Sequence, residues 1–450
     1  MKGLNRVKRL KTLKDAKLGG FPGGWGLTAF LMVSVVGGAR SVAGSGLGHF
    51  RIFTGAARAL WQGKDAYGTD FGTGVGLWFY SPACGMAVFG PLSLLPEAFG
   101  LAVYLFISWL AFVWGATKLW KSFGATRVPD LFWLLVAVQM MTSLLAAKLE
   151  ILMMGLLMWA CAEVIRTARA RVRAGSDETA RLDWKPAAVM GALLNWKFQP
   201  LPTVGLLTIV WMLRPAEGEP RDLEAAAQGL IQEDEIARRF RFPVAVAFNC
   251  LLWFLVPALW FGWKPMLEIL VHWKTTLQPF LEASYLNFDN IFAFIKATFG
   301  VSITYEMAQG ISIITGLAMA VAVTMRLRFS RWDARWSVVD SAAMAMSLGA
   351  VYTVVLSPLS QNNAHVLLAP LFLSAMITWR RLDGDRLGQW VHGLALGFLV
   401  IALDFAYSDL IPADLRTLLR GLAVKPAAVA LFGMVETFLL FRAGRDDLEA

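Results

Sequence analysis

The sequence predicts an all-α, polytopic integral membrane protein, and three observations carry that prediction. Of the 450 residues, 57% are hydrophobic and 16% charged, with a mean hydropathy of +0.55, which excludes an ordinary soluble domain. The apolar residues fall in about twelve runs, each near the ~20 residues that a helix needs to cross a bilayer core, with a few shorter. Basic residues gather in the short stretches between these runs, as they do in cytoplasmic loops. The formal net charge of +10 therefore reads as membrane orientation, and no nucleic-acid partner is expected. The three cysteines, Cys84, Cys161 and Cys250, sit in apolar runs without CxxC spacing, so buried free thiols are expected and a metal site is not.

Taken in order, residues 1–24 carry Lys2, Arg6, Lys8, Arg9, Lys11, Lys14 and Lys17 against Asp15, which places the N-terminus in the cytoplasm. A cleavable signal peptide ending near SVAG at 41–44 is the alternative, against which stands the unusual length of the charged segment. The membrane domain spans 25–442, with predicted apolar segments at 25–44, 77–96, 97–117, 131–147, 150–166, 187–213, 243–262, 307–326, 337–356, 364–378, 388–407 and 422–442. The basic loops 118–128, 167–186, 214–242, 327–336 and 379–386, and the tail 443–450, are expected in the cytoplasm, with ARARVRAGSDETARLDWK and the run from Glu217 to Arg241 read as linkers or surface helices. That leaves 45–76, 148–150, 263–304, 357–363 and 408–421 outside. The 27 residues of 187–213 cannot cross twice at full length, so they read as two half-helices turning near Lys197, Pro200 and Pro202. One parity conflict arises: two segments separate the external first loop from cytoplasmic Lys118, where an odd number of crossings is needed. Either one of them is re-entrant or that basic loop lies outside.

The first external loop opens with an amphipathic helix. At 100° per residue, Phe50, Ile52, Phe53, Ala56, Ala57, Leu60 and Trp61 share one face and Arg51, Thr54, Arg58 and Gln62 the other, so the helix lies on a surface and does not span it. His49 projects into the apolar arc if it is helical, or is the helix's boundary residue if the helix starts one position later. Further polar residues interrupt apolar sequence near predicted external helix ends: Asp65, Tyr67, Asp70 and Tyr80, then Lys148 and Glu150, Lys197, and finally Ser357, Ser360 and His365. An ionisable residue within a membrane domain is a candidate for function. Each also has a structural alternative. Lys197 can snorkel to an interface, Asp65 can serve a turn, Lys148 and Glu150 can form an interfacial pair, and His49 and His365 can be packed histidines. No Walker-type glycine loop is read in the cytosolic stretches, and nucleotide sugars and a metal requirement are not expected.

HFRIFTGAARALWQGKDAY, followed by FYSPACGMAVFGPLSLLP, resembles the start of glycosyltransferase family 87 (DUF2029), polytopic enzymes of the GT-C class. Gly63, Asp65, Tyr67, Tyr80 and Pro82 stand where that family has a Gly-x-Asp-x-Tyr turn and a Tyr-x-Pro re-entry, and His49 stands where it has a catalytic Asp. Lys148 and Glu150 replace its Gly-Gln-x-Asn helix start. Lys197 and Pro200 match a Lys-x-x-Pro element, and Ser357, Pro358, Ser360 and His365 match a Ser-Pro-x-Ser element with a following His. The resemblance runs from about Gly48 to Leu373, and the order and spacing of the motifs carry it.

The resemblance implies a GT-C-like fold and an inverting transfer of a sugar, mannose or another hexose or a pentose, from a polyprenyl-phosphate donor to a lipid or cell-envelope glycan acceptor. The site would be extracytoplasmic, on the cytoplasmic membrane. The lipid-linked sugar is then a co-substrate and no cofactor is expected; donor, acceptor and membrane lipids are the partners. Such a reaction needs cations to stabilise the departing phosphate, for which Lys197, Arg51 and His365 are available. It also needs a base for the acceptor hydroxyl, for which His49, Asp65, Asp70 and Glu150 are available. Tyr67, Tyr80, Lys148 and Ser360 complete the expected binding set. A transporter or flippase for a lipid-linked or amphiphilic solute is the rival reading, and a non-catalytic relative that binds lipid-linked glycan is a third.

Overall fold

The computed structural model describes residues 24–71, 78–125, 127–174, 184–213, 233–287, 290–329, 338–357, 362–382, 384–405, 412–422 and 424–443. The N-terminal region up to residue 23, residues 214–232 of the linker, the tail from 444, and residues 358–361 with Ser360 among them lie outside the described residues. Among the described residues every regular element is helical.

From the N-terminus, α1 (Trp25–Ala43) turns at Gly44 into α2 (Ser45–Trp61). A short α3 (Pro82–Leu92), with a π-helical turn at Gly85–Phe89, leads to α4 (Glu97–Ser122), α5 (Asp130–Leu145) and α6 (Glu150–Ala174). Then come α7 (Trp184–Trp196), α8 (Leu201–Leu213), α9 (Glu233–Phe261), α10 (Trp263–Ser284) and α11 (Ile291–Phe299). The chain continues through α12 (Tyr305–Phe329), α13 (Val338–Val355), a 3₁₀ stretch Asn362–Leu368 and α14 (Ala369–Arg381). It ends with α15 (Arg386–Val400), α16 (Ala413–Gly421) and α17 (Val424–Ala443).

Five helices or parts of helices are long and apolar enough to cross a membrane: Trp25–Ala43, Glu97–Ser122, Phe240–Phe261, Tyr305–Met325 and Arg386–Leu403. Ala413–Leu419 and Val424–Leu440, bent by 63°, make a sixth if taken as one span. Large apolar side chains cover the outer faces of these helices, among them Val35, Phe106, Leu251, Leu259, Leu317 and Val321, all more than half exposed. A surface of that kind is stable only against lipid, and the protein is an integral membrane protein.

The crossing helices are fewer than the twelve or so apolar runs, because several runs form shorter helices that are packed inside the bundle. α5, α8 and α13 are shorter apolar helices, and α13 is buried along most of its length. α3 is also short: its 11 residues (82 to 92) rise about 16 Å at 1.5 Å each, half of a ~30 Å hydrocarbon core. Its length fits the re-entrant way out of the parity conflict, with α4 long enough to cross between the first loop and Lys118. The predicted pair of half-helices is α7 and α8, 13 residues each. The stretch 263–304 is largely helical, as α10 and α11, α6 runs on to Ala174, and α9 begins at Glu233.

Packing is closest where side chains are smallest. A Cβ on Gly115 of α4 would lie 2.0 Å from the Gly155 carbonyl oxygen of α6, and one on Gly155 would lie 2.4 Å from the Ala111 backbone. These helices touch backbone to backbone, the small-residue contact that replaces hydrophobic drive between helices in lipid. α14, α15 and α17 are held by a buried carboxylate: Glu436 pairs with His392 at 2.9 Å and accepts from Thr378 at 2.5 Å and Ser374 at 3.3 Å. Such a group is tolerable in an apolar interior only because it is paired and hydrogen-bonded. Cys84 and Cys161 are buried free thiols as expected, and Cys250 is half-buried.

Candidate functional site

The amphipathic α2 supplies one wall of the site. Phe50, Ile52, Phe53, Ala56, Ala57 and Leu60 are buried, and Arg51, Arg58 and Gln62 face outward. Thr54, placed by periodicity on the polar face, is instead buried and donates to the Phe50 carbonyl at 3.1 Å, so the buried face is wider than the pattern indicated. His49, Ile52 and Phe53 stand at i, i+3 and i+4, one face of the helix, and all three line a cavity of about 500 Å³.

The re-entry after the first loop supplies the second wall. Ser81 is the N-cap of α3: its hydroxyl accepts from the Cys84 amide at 3.2 Å and donates to Asn195 Oδ1 of α7 at 3.0 Å. The cap thereby ties Tyr80 to the end of α7, where Lys197 begins the break. Tyr67 donates its hydroxyl to the Tyr80 carbonyl at 2.7 Å, and Asp65 accepts from the Tyr67 amide at 2.8 Å. The turn role of Asp65 is thus visible, and its other oxygen pairs with His272 of α10.

The floor is built at the break between α7 and α8. Pro200 disfavours helical geometry at Gln199, and the chain leaves α7 at Trp196 and resumes at Leu201. The single hydroxyl proton of Thr353 on α13 is shared between the Gln199 carbonyl at 2.9 Å and the Gly349 carbonyl of its own helix at 2.7 Å. The Lys197 ammonium pairs with Glu150 Oε1 at 2.5 Å and lies 5.3 Å from the centre of the Tyr80 ring. Their side chains are 16% and 3% exposed, so this is a buried ion pair across 47 residues of sequence and no loose interfacial contact.

Lys148, in the turn between α5 and α6, lines the same cavity. The preceding Ala147 has φ +47°, the left-handed region that a residue with a Cβ enters at about 1 to 2 kcal/mol, and this turns Lys148 and Glu150 toward Lys197. Burial pulls the Lys148 ammonium below its usual range; Glu150 opposes that shift and Lys197 adds to it. Two lysines thus stand around one carboxylate at this wall. An ammonium has three N–H donors, and Lys197 shows one bond to Glu150.

α10 closes the site from the far side. Trp273 stacks on Tyr67 and Phe198, both at 6.3 Å between ring centres, and donates its indole N–H to the Phe79 carbonyl at 3.0 Å. Phe280 stacks on Phe79 at 4.4 Å. Ser312 of α12, Tyr352 and Thr353 of α13 and Ser357 beyond it complete a lining that is mostly aromatic and aliphatic. At about 500 Å³ the cavity is within the usual range for a small-molecule site.

The chain matches no family model, no curated protein and no solved structure. What the site offers is read from its residues. Of those singled out by sequence, His49, Tyr80, Lys148, Lys197 and Ser357 line the cavity wall, with Glu150 held behind them by Lys197. Tyr67 and Asp65 support the wall without lining it. Asp70 is exposed in the same loop, outside the lining. Arg51 faces away, paired with Glu97 at 2.8 Å in an exposed contact of the kind worth about 0 to 1 kcal/mol. His365 is buried within the bundle, also outside the lining. Gln199, Trp196, Thr353 and Tyr352 line the cavity although sequence reasoning passed over them. For the first two a signal existed, since they flank Lys197 at the break.

Proposed function

We propose that this chain is an inverting GT-C-type glycosyltransferase that moves a hexose or pentose from a polyprenyl-phosphate donor to a lipid or cell-envelope glycan acceptor, on the extracytoplasmic face of the cytoplasmic membrane. The observation that supports this reading best is one cavity lined by two lysines, Lys148 and Lys197, and by an imidazole, His49, inside aromatic walls, with Glu150 paired to Lys197. A lipid phosphate needs such a combination, because its head is anionic and its tail apolar. In the proposed step His49 takes the proton of the acceptor hydroxyl as that oxygen bonds to the anomeric carbon. The bond from that carbon to the phosphate oxygen breaks, its electron pair leaves on the phosphate, and Lys197 and Lys148 stabilise the growing charge. Attack opposite the leaving group inverts the anomeric centre.

Purified protein offered a panel of polyprenyl-phosphate hexoses and pentoses, with extracted envelope lipids and glycans as acceptors, is expected to release polyprenyl phosphate and glycosylated acceptor. Saturable donor binding without transfer under any condition would favour a non-catalytic binder. Vectorial movement of the lipid without bond cleavage would favour a flippase.

The sidedness has its own test. Thr69 and Lys264 are exposed, in the first loop and on α10, and Arg386 is exposed at the start of α15. With the unsubstituted protein as background, Thr69→Cys and Lys264→Cys are expected to react with an impermeant thiol reagent in intact cells, and Arg386→Cys only after permeabilisation. The reverse pattern would turn the site toward the cytoplasm and remove the extracytoplasmic assignment.

A further inference from the structure

The wall that α10 gives the cavity is built differently from the others. Met266, Ile269 and Trp273 are the buried side chains among the described residues of α10. On a second face Trp263, Leu267 and Val271, at i, i+4 and i+8, are each more than half exposed. The crossing part of α9 ends at Phe261, so α10 begins at the edge of the bilayer. A helix with an outward apolar stripe at that place lies along the bilayer surface.

Between α9 and α10 stands Gly262 with φ +84° and ψ 168°, a conformation essentially reserved for glycine. A Cβ there would meet nothing within 4 Å, so the joint has room to turn. On the α9 side, Trp260 donates its indole N–H to the Trp61 carbonyl at 3.0 Å and fixes the end of α9 to the end of α2. On the α10 side, two polar contacts reach the first loop. His272 pairs with Asp65, their side chains 47% and 37% exposed, and the Trp273 indole N–H meets the Phe79 carbonyl at 3.0 Å. A pair that exposed shifts an equilibrium by at most about fivefold, and one hydrogen bond by about two- to tenfold. Contacts of that strength can close a helix over a cavity and still release it.

We propose that α10 is a lid on the cavity, hinged at Gly262 and latched to the first loop by His272 with Asp65 and by Trp273 with the Phe79 carbonyl. When the latch opens, Trp273, Leu277 and Phe280 leave the cavity wall together, and the cavity opens toward the bilayer surface on which α10 lies. The outer stripe of Trp263, Leu267 and Val271 stays on lipid throughout, so the movement exposes no new apolar face there. A lipid-linked substrate with its head group in the cavity passes this edge, and closure behind it keeps water from the bond that breaks. The lid itself requires only that the cavity takes a ligand; its link to turnover rests on the proposed transfer.

Two measurements on the full chain in nanodiscs test it. In the first, spin labels are attached at Gln62→Cys and Lys274→Cys, both exposed, in a Cys250→Ala background that leaves the buried Cys84 and Cys161 as the native thiols. Adding His272→Ala with Trp273→Phe removes both polar contacts of the latch and keeps an aromatic ring at 273. The population at a second, longer label distance is expected to rise about tenfold or more over the latched protein. A distance distribution unchanged by the two substitutions overturns the lid. In the second, Asp65→Cys with His272→Cys is oxidised to a disulfide that holds the latch shut. Transfer by the oxidised form is expected to fall at least about tenfold and to return on reduction of the same sample. Equal transfer before and after reduction overturns the lid as well. If no form of the protein transfers a sugar, the donor reading fails, and the label distances decide the lid without it.

Discussion

Lys197→Met is expected to reduce sugar transfer by at least about 100-fold, the loss seen when one preorganised donor to a developing oxyanion is removed. The single variant is ambiguous on its own. It leaves the Glu150 carboxylate buried without the ammonium that now lies 2.5 Å away, and breaking a buried pair in this way destabilises a protein by about 3 to 5 kcal/mol. The double variant Glu150→Gln, Lys197→Met separates the two roles. It removes both charges at once, so thermal stability in detergent should return to within about 1 kcal/mol of the unsubstituted protein, because replacing a buried pair by neutral groups is often close to neutral. Transfer should remain down by the same factor. If the double variant recovers both folding and transfer, Lys197 serves the structure alone and the leaving-group assignment is lost.

His49→Ala is expected to lower transfer by about 10²- to 10⁴-fold with little change in donor affinity, the range for removing a positioned general base. His49 is half-buried on α2 in the cavity lining, so the thermal midpoint of each variant is measured beside its transfer rate. His49→Asp is expected to regain part of the lost rate, since a carboxylate can also accept the proton. His49→Asn, which preserves polarity without a comparable base, should stay near the alanine level. Equal activity in all three would place the base elsewhere. Asp65 is then the nearer candidate, because its turn already abuts the cavity through Tyr67 and Tyr80. Restored activity in the Asn variant alone would point to a hydrogen-bonding role in orienting the acceptor.

Composition and periodicity were enough to determine the membrane class, the helical fold, the amphipathic α2 and the break between α7 and α8. These are local properties. An apolar run of 20 residues in lipid must satisfy its backbone internally and becomes a helix whatever its neighbours do, and a proline disfavours helix at the residue before it. The motif residues His49, Tyr80, Lys148 and Lys197 were also visible from sequence, as polar side chains at the ends of apolar runs.

Which of them share a site was decided only by the tertiary structure, because the deciding contacts join residues far apart in the chain. Glu150 meets Lys197 across 47 positions and Asp65 meets His272 across 207. A helix pattern cannot encode which charged residue of another helix it will face, so Arg51 read as a cavity cation and instead turns to Glu97. The same holds for length. Hydropathy alone counts α3 and α13 with the crossing helices, whereas their short extent, and for α13 its burial among neighbours, sets them apart.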